Sequence, residues 1–401
     1  MKKKILFVIN TLGRAGAETA LTALLKQLDH DKFDISLYVL CNQGEMIHEL
    51  PNFVKLLNTN YCDSSVLTAE GKKKLILNIL KKCFRHNAFI KNIPYIFKNI
   101  FLTLKDKRKL LPEKLLWKTV SDGSEYFSEN YDLAVAYLEG GSAYYVSRHV
   151  HARKKVAFIH VDYTKAGYTR DLDLSCYTEF DSIFTVSDEV RTAFLSVYYE
   201  CENNTKVFHN FIDKEKIFKK AAYPLPETFK SGIRLLTVGR LTAQKGYDYA
   251  IQALKLLVEK GYPVYWYIIG DGPEHQSLLK QVNESKLSER FIFLGAKENP
   301  YPYYKAADIY VHATRFEGKS IAIQEAQILG LPIVASDCSG NREQIDSGVD
   351  GLLCPFTPEG IAQNIEKLIN DSAIAAKYGY NASHKKINHY EDLQYIFQLL
   401  E

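Results

Sequence analysis

At 401 residues, with 46% hydrophobic and 24% charged residues, the chain is long enough for two domains of ordinary size and too apolar to be disordered or collagen-like. A formal net charge of +4 gives no overall case for nucleic acid, and seven cysteines, an odd number without a CxxC pair, argue against a disulfide framework. The first apolar run covers only Ile5–Ile9 and no uncharged apolar stretch reaches about 18 residues, so the sequence predicts neither a signal peptide nor a membrane span, and a cytoplasmic protein.

Ile5–Ile9 predicts a buried strand, followed by the turn Thr11–Gly16 and a helix over Ala17–Leu28 with Ala20, Leu21, Leu24, Leu25 and Leu28 inward. Phe33–Leu40 predicts a second strand. Strand, glycine turn, helix and strand in that order point to a parallel α/β sheet. The pattern blurs between about 60 and 118 and resumes with strands at Leu133–Tyr137, Lys155–Ile159 and Ser182–Val186, the last followed by Ser187 as a helix cap. Val207-Phe208 follows. The polar stretch Lys214–Gly232, with Pro224 and Pro226, suits a linker. The series then starts again: strands at Ile233–Val238, Val264–Ile269, Phe291–Leu294, Ile309–His312, Pro332–Ala335 and Gly351–Leu353, with a helix over Tyr247–Glu259. The tail Pro358–Glu401 predicts helix with an interruption around Tyr378–Ser383. Two α/β domains in tandem follow, and such pairs place their site at the carboxyl ends of the strands.

Three glycine-bearing turns sit where a strand hands over to a helix. Gly13-Arg14-Ala15-Gly16 lacks GxGxxG and Walker spacing, yet glycine there lets backbone approach an anion; a plain tight turn is the alternative. In Gly239–Gly246, Arg240 and Lys245 supply a fork and a mobile point charge for a diphosphate, against a surface loop as the other reading. In His312–Ala326, Glu317 lies near a helix start and Glu325 two turns inside, in an apolar run where an acid needs a reason. Backbone N–H groups from Gly318 through Lys319 and Ser320 to Ile321 suit an anion, and a carboxylate suits vicinal hydroxyls; capping or solvent-facing roles are the alternatives. Asp171-Leu172-Asp173, the nearest approach to a metal-binding DxD, reads as surface.

In this order the motifs resemble the retaining glycosyltransferases of the GT-B fold, in particular their large fourth family, which uses nucleotide sugars. The likeness covers nearly the whole chain, through Gly16-Ala17-Glu18, Gly239-Arg240 with Lys245-Gly246, Gly270-Asp271-Gly272-Pro273, Glu317 and Glu325 as a Glu-x7-Glu pair, and Gly330–Ala335. It departs from the family pattern in having Ala17 for a second glycine, Phe316 before Glu317, and Phe211 after His209-Asn210.

The resemblance implies an α/β chain of two Rossmann-like domains facing across a cleft. Residues 1–215 form the acceptor-side domain with a basic helical insertion at about 62–118; 216–232 link it to the nucleotide-sugar domain, 233–380; and 381–401 pack back as a C-terminal helix. It implies a catalytic set of His160, Arg240, Lys245 and Glu317, and a donor-binding set of Gly16, Arg240, Lys245, Gly270, Glu317, Gly318, Lys319, Ser320, Ile321 and Glu325. Arg240 and Lys245 would hold the diphosphate, Glu325 the ribose, and Glu317 the transferred sugar, with His160 beside it. No metal and no cofactor beyond the donor, a UDP-sugar, are implied, and no nucleophile is assigned.

Residues 72–118 hold 14 Lys or Arg (including Lys109) against Asp106 and Glu113, a net of +12 that leaves −8 for the rest. Apolar residues such as Leu80, Phe84, Ile90, Phe97, Phe101 and Trp117 alternate with these cations. That mixture suits an anionic membrane surface; a solvated helical insertion is the plainer reading, and no nucleic-acid module is present. Together with this segment, the resemblance implies transfer of a hexose or N-acetylhexosamine to a lipid-linked or growing cell-surface glycan, at the inner face of the cell membrane. The alternatives are the same chemistry on a soluble or protein acceptor, or a non-catalytic nucleotide-sugar-binding protein.

Overall fold

The computed structural model describes residues 2–66, 68–108, 111–225 and 229–401; Lys109 and Pro226 lie outside them. The chain divides into two compact units, one of Met1–Ile212 with Asn388–Glu401, the other of Asp213–Ile387.

The first unit is built on seven strands: β1 (Lys3–Ile9), β2 (Phe33–Val39), β3 (Lys55–Leu56), β4 (Asn130–Ala136), β5 (His151–Ile159), β6 (Ser182–Thr185) and β7 (Thr205–Val207). Among the described residues they form one sheet in the order β3-β2-β1-β4-β5-β6-β7, and the pairings are parallel. β1 reads as an unbroken apolar run because both of its faces are covered. Ile5, Phe7 and Ile9 join one core with helices Gly16–Leu25 and Leu393–Leu400. Leu6 and Val8 join the other with helices Gly141–His149 and Asp188–Leu195. The expected cap is present: Ser187 Oγ accepts from the Val190 N–H at 3.2 Å.

The insertion consists of helices Ala69–Phe84, Ala88–Lys105 and Pro112–Asp122. It is tied to the sheet by an ion pair of buried Lys82 with half-buried Glu125, Nζ to carboxylate at 2.6 Å, with the Tyr38 hydroxyl bonded to the same carboxylate. No helix among the described residues is long and apolar enough to cross a membrane. The seven cysteines are unpaired.

The second unit has β8 (Ile233–Val238), β9 (Val264–Ile269), β10 (Phe291–Gly295), β11 (Ile309–His312), β12 (Ile333–Ser336) and β13 (Leu352–Cys354). They form a parallel sheet in the order β10-β9-β8-β11-β12-β13. Helix Lys214–Ala221 occupies the start of the stretch expected to be a linker, and its Lys220 carbonyl accepts from Asn299 at 2.9 Å.

The tail departs from expectation in one respect. Helix Ser372–Ser383 runs unbroken through the segment where an interruption was expected, and the breaks fall before it, at Asp371, and after it. Gly379 does not end the helix there. A Cβ on it would lie 2.2 Å from the Gly330 carbonyl oxygen, so its missing side chain serves a close packing contact.

Candidate active site

In the second unit the sheet order reverses beside β8: β9 and β10 lie on one side, β11 to β13 on the other. Loops leaving the carboxyl ends of β8 and β11 meet there, at the usual ligand position in a doubly wound sheet. Residues 239–246 and 313–320 form those two loops. Neighbouring segments brace them by backbone contact that admits no side chain. Gly270, at φ +151°, would place a Cβ 1.9 Å from the Gly239 carbonyl oxygen, and Gly340 would place one 1.7 Å from that of Gly318. The two site loops are also stitched together: the Arg315 N–H donates to the Gln244 carbonyl at 2.8 Å, and Gln244 Nε2 to the Phe316 carbonyl at 2.8 Å.

The charges converge within this frame. Lys245 Nζ donates to Oε2 of Glu317, and His312 Nε2 lies 3.1 Å from the same oxygen. The Tyr310 hydroxyl is 3.2 Å from His312 Nδ1, which suits a neutral ring carrying its proton on Nε2. Burial and then the Lys245 charge push the His312 pKa down, against the bond to Glu317. For Glu317, burial opposes ionisation, but the Lys245 charge and the His312 hydrogen bond outweigh it and hold the carboxyl at about 2. Arg240 is exposed and pairs with no acid among the described residues. The Lys245 stem lies along Gly239, where a Cβ would be 3.7 Å from its Cε. The structure thus joins Lys245 to Glu317 and sets Gly270 against the backbone of the loop that carries Arg240 and Lys245, with Lys245 already engaged.

Gly318, Lys319 and Ser320 lead into helix Ile321–Ile328, whose Ser320 cap makes no side-chain bond to it. Glu325 is buried in that helix. Its Oε1 accepts from the Tyr301 hydroxyl at 3.0 Å and its Oε2 from the Tyr304 hydroxyl at 3.1 Å. Burial dominates, raising its carboxyl to about 7 against both phenols.

The remaining expected residues belong to the first unit. Gly16 is exposed and opens helix Gly16–Leu25 after β1. His160 follows β5 directly, its ring against Tyr137 and Phe158 at centroid distances of 5.0 and 5.9 Å. Its buried Nε2 has no hydrogen-bond partner among the described residues, and burial holds its pKa at about 3, so the ring is neutral. The His160 N–H donates to Glu139 Oε2 at 3.1 Å, and Asn10 Nδ2 donates to the Glu139 carbonyl at 3.2 Å. Asn10, Glu139 and His160 thus sit together at the carboxyl ends of β1, β4 and β5. The Asp171–Asp173 stretch needs correction. Asp171 is exposed and pairs with Lys98 at 2.7 Å, but Asp173 is buried, accepts from the Tyr144 hydroxyl at 2.6 Å, and is raised by burial to about 7.

Sequence reasoning missed His312, Tyr301, Tyr304 and Glu139 as parts of these clusters. Two had a readable signal: His312 ends an apolar strand, and Glu139 stands between the run Leu133–Tyr137 and Gly140-Gly141. The tyrosines had none, because twenty-four residues separate Tyr301 from Glu325 and only the fold joins them.

Residues 220–385 match the family model of glycosyl transferases group 1. The chain is 29% identical over 184 residues to an uncharacterized glycosyltransferase of Methanocaldococcus jannaschii, covering 45% of this chain and 43% of that protein. It is 28% identical over 200 residues to the capsular polysaccharide biosynthesis glycosyltransferase CapM of Staphylococcus aureus, covering 47% of this chain and 49% of that one. These alignments thus span about half or less of the relatives' length. The crystal structure of Anabaena HepE in complex with UDP and glucose superposes with a TM-score of 0.66 at 19% identity, covering 99% of each chain. With two Rossmann-like units, each a parallel sheet wrapped in helices, the chain has the GT-B fold.

Proposed function

We propose that the protein is a retaining glycosyltransferase that moves a hexose or N-acetylhexosamine from a UDP-sugar to a lipid-linked or growing cell-surface glycan. The observation that carries this is the convergence of Lys245 and His312 on Glu317 at the switch point of the second unit, with Arg240 exposed in the loop that carries Lys245. HepE's complex with UDP and the name of CapM support the donor and the acceptor class.

Without donor, Lys245 and Glu317 neutralise each other. A diphosphate entering the site offers Lys245 more negative charge than one carboxylate does, so the amine turns to the phosphates. Glu317 is then free to accept from a sugar hydroxyl while neutral His312 keeps it in place. Arg240 and the uncapped start of helix Ile321–Ile328 add positive potential where negative charge grows as the sugar–phosphate bond breaks. These groups do the electrostatic work without a metal. Glu325, between two phenols, accepts from ribose hydroxyls, and His160 lines the transferred sugar without acting as a cation. The basic segment 72–118 holds the enzyme on the anionic inner face of the cell membrane.

The test is a panel of nucleotide sugars offered with a membrane lipid extract in EDTA. One UDP-sugar is expected to be consumed with retention, and Arg240→Ala or Lys245→Ala to lower the rate at least about 100-fold with circular dichroism unchanged. Near-normal rates in both variants, or a strict metal requirement, would sink this assignment.

A further inference from the structure

Helix Ala88–Lys105 is amphipathic in the wrong sense for a surface helix. Its buried residues are Ala88, Asn92, Tyr95 and Asn99, one face at spacings of four, three and four. Two asparagines therefore point inward, 1% and 2% exposed. They are satisfied there: Asn92 Nδ2 donates to Asp122 at 2.8 Å, Asn92 Oδ1 accepts from Lys118 Nζ at 2.5 Å, and Asn99 Nδ2 donates to the Tyr95 carbonyl at 3.0 Å. The Tyr95 hydroxyl bonds to the Leu172 carbonyl at 2.8 Å. The helix is anchored by polar contacts.

Its outer face is apolar. Ile90, Phe97, Phe101 and Leu104 are each 66–67% exposed, and Phe84, at the end of helix Ala69–Phe84, is 70% exposed. Twenty large hydrophobic side chains are exposed among the described residues, and ten of them lie between Ile76 and Leu104. Scattered exposed apolar residues are ordinary, but a concentration like this marks an interaction surface. The same two helices carry exposed Lys73, Lys81, Lys91 and Lys105, which pair with no acid among the described residues.

We propose that these two helices insert into an anionic bilayer, the apolar stripe entering the headgroup–acyl boundary while the lysines meet lipid phosphates. The charge selects the occupant. A second copy docked by two-fold symmetry would set the same patch, and so the same unpaired lysines, against itself, whereas an anionic leaflet complements them. This deepens the membrane contact proposed above, and rests on it, by replacing a purely ionic attachment with insertion.

The experiment uses the full chain and vesicles of phosphatidylcholine with or without phosphatidylglycerol. With phosphatidylglycerol present, Phe97→Trp is expected to shift its fluorescence to the blue and to be quenched by lipids brominated on their acyl chains. A triple substitution, Phe84→Ser with Phe97→Ser and Phe101→Ser, is expected to weaken binding at least about tenfold, with circular dichroism and UDP binding unchanged. Vesicle binding that salt reverses fully, with no quenching, would overturn insertion and leave ionic attachment standing. Equal binding by the triple variant would also overturn it. No binding to either vesicle would overturn both. A lipid-free dimer abolished by the triple substitution would assign the face to a second copy instead. UDP binding, lost in Arg240→Ala, reads the donor site independently of each of these.

Discussion

Glu325 is a carboxyl set between two phenols, and its burial has a consequence that pH exposes. An unfolded glutamate ionises near 4.5, whereas the folded protein holds this proton to about 7. The folded state therefore binds the proton more tightly. The contribution is full below about 4.5 and is lost as pH rises through about 7. Glu325→Gln removes the titration, so at pH 8 without donor it is expected to be more stable than the parent, by about 2–3 kcal/mol, converging with it toward pH 5. Denaturant unfolding at the two pH values measures this, and a difference independent of pH would refute it. Glu317 runs the other way: the stability it contributes is present above about 4.5 and is lost as pH falls through about 2. Two acids eight residues apart thus differ because one is hydrogen-bonded to the Lys245 amine and the other to hydroxyls, with the Lys216 charge too weak to offset its burial.

Between elements, the site loops are fixed by backbone packing. Gly340, in the short helix Ser339–Arg342 after β12, admits the carbonyls of Glu317 and Gly318 where a side chain would stand. Gly340→Ala must push the 313–320 loop away, and it is expected to cost roughly 2–4 kcal/mol and to weaken UDP binding in the same variant. Calorimetry and titration measure the pair, and a stable variant with parental affinity would show that the loop yields freely. The buried strands were legible in the sequence because parallel strands covered on both faces are simple apolar runs, as Ile5–Ile9 and Val264–Ile269 are. A helical insertion was expected, but the periodicity of its helix Ala88–Lys105 was not readable, because Asn92 and Asn99 face inward and reverse the pattern that reading depends on. Within the expected interruption, Gly379 is needed for close packing against Gly330, which the sequence alone does not show. Asp173 looked like surface because nothing local announces the buried hydroxyls of Tyr144 and Tyr198.

In the whole molecule, the first unit is discontinuous: its last part, 388–401, is separated from the rest by all of the second. Ile396 and Leu400 are buried in the same core as Ile5 and Phe7, and Phe397 stacks on Phe33 at 5.9 Å. His209 holds the returning segment, its N–H and Nδ1 each 2.8 Å from Asp392 Oδ2. Ile396→Ala is expected to cost about 2–5 kcal/mol and to raise hydrogen exchange in β1, β2 and helix Gly16–Leu25, leaving β8 to β12 protected as before. Equal loss of protection in both units would show that they unfold as one. The same arrangement has a consequence during synthesis. While the ribosome is making 213–387, the core of the first unit lacks the helix that covers part of it, and apolar floor stays open to chaperones or to neighbouring nascent chains. The second unit, contiguous in sequence, is free to close on itself during that interval. The unit translated first is thus the one completed last, and the time needed to translate the other sets how long it waits.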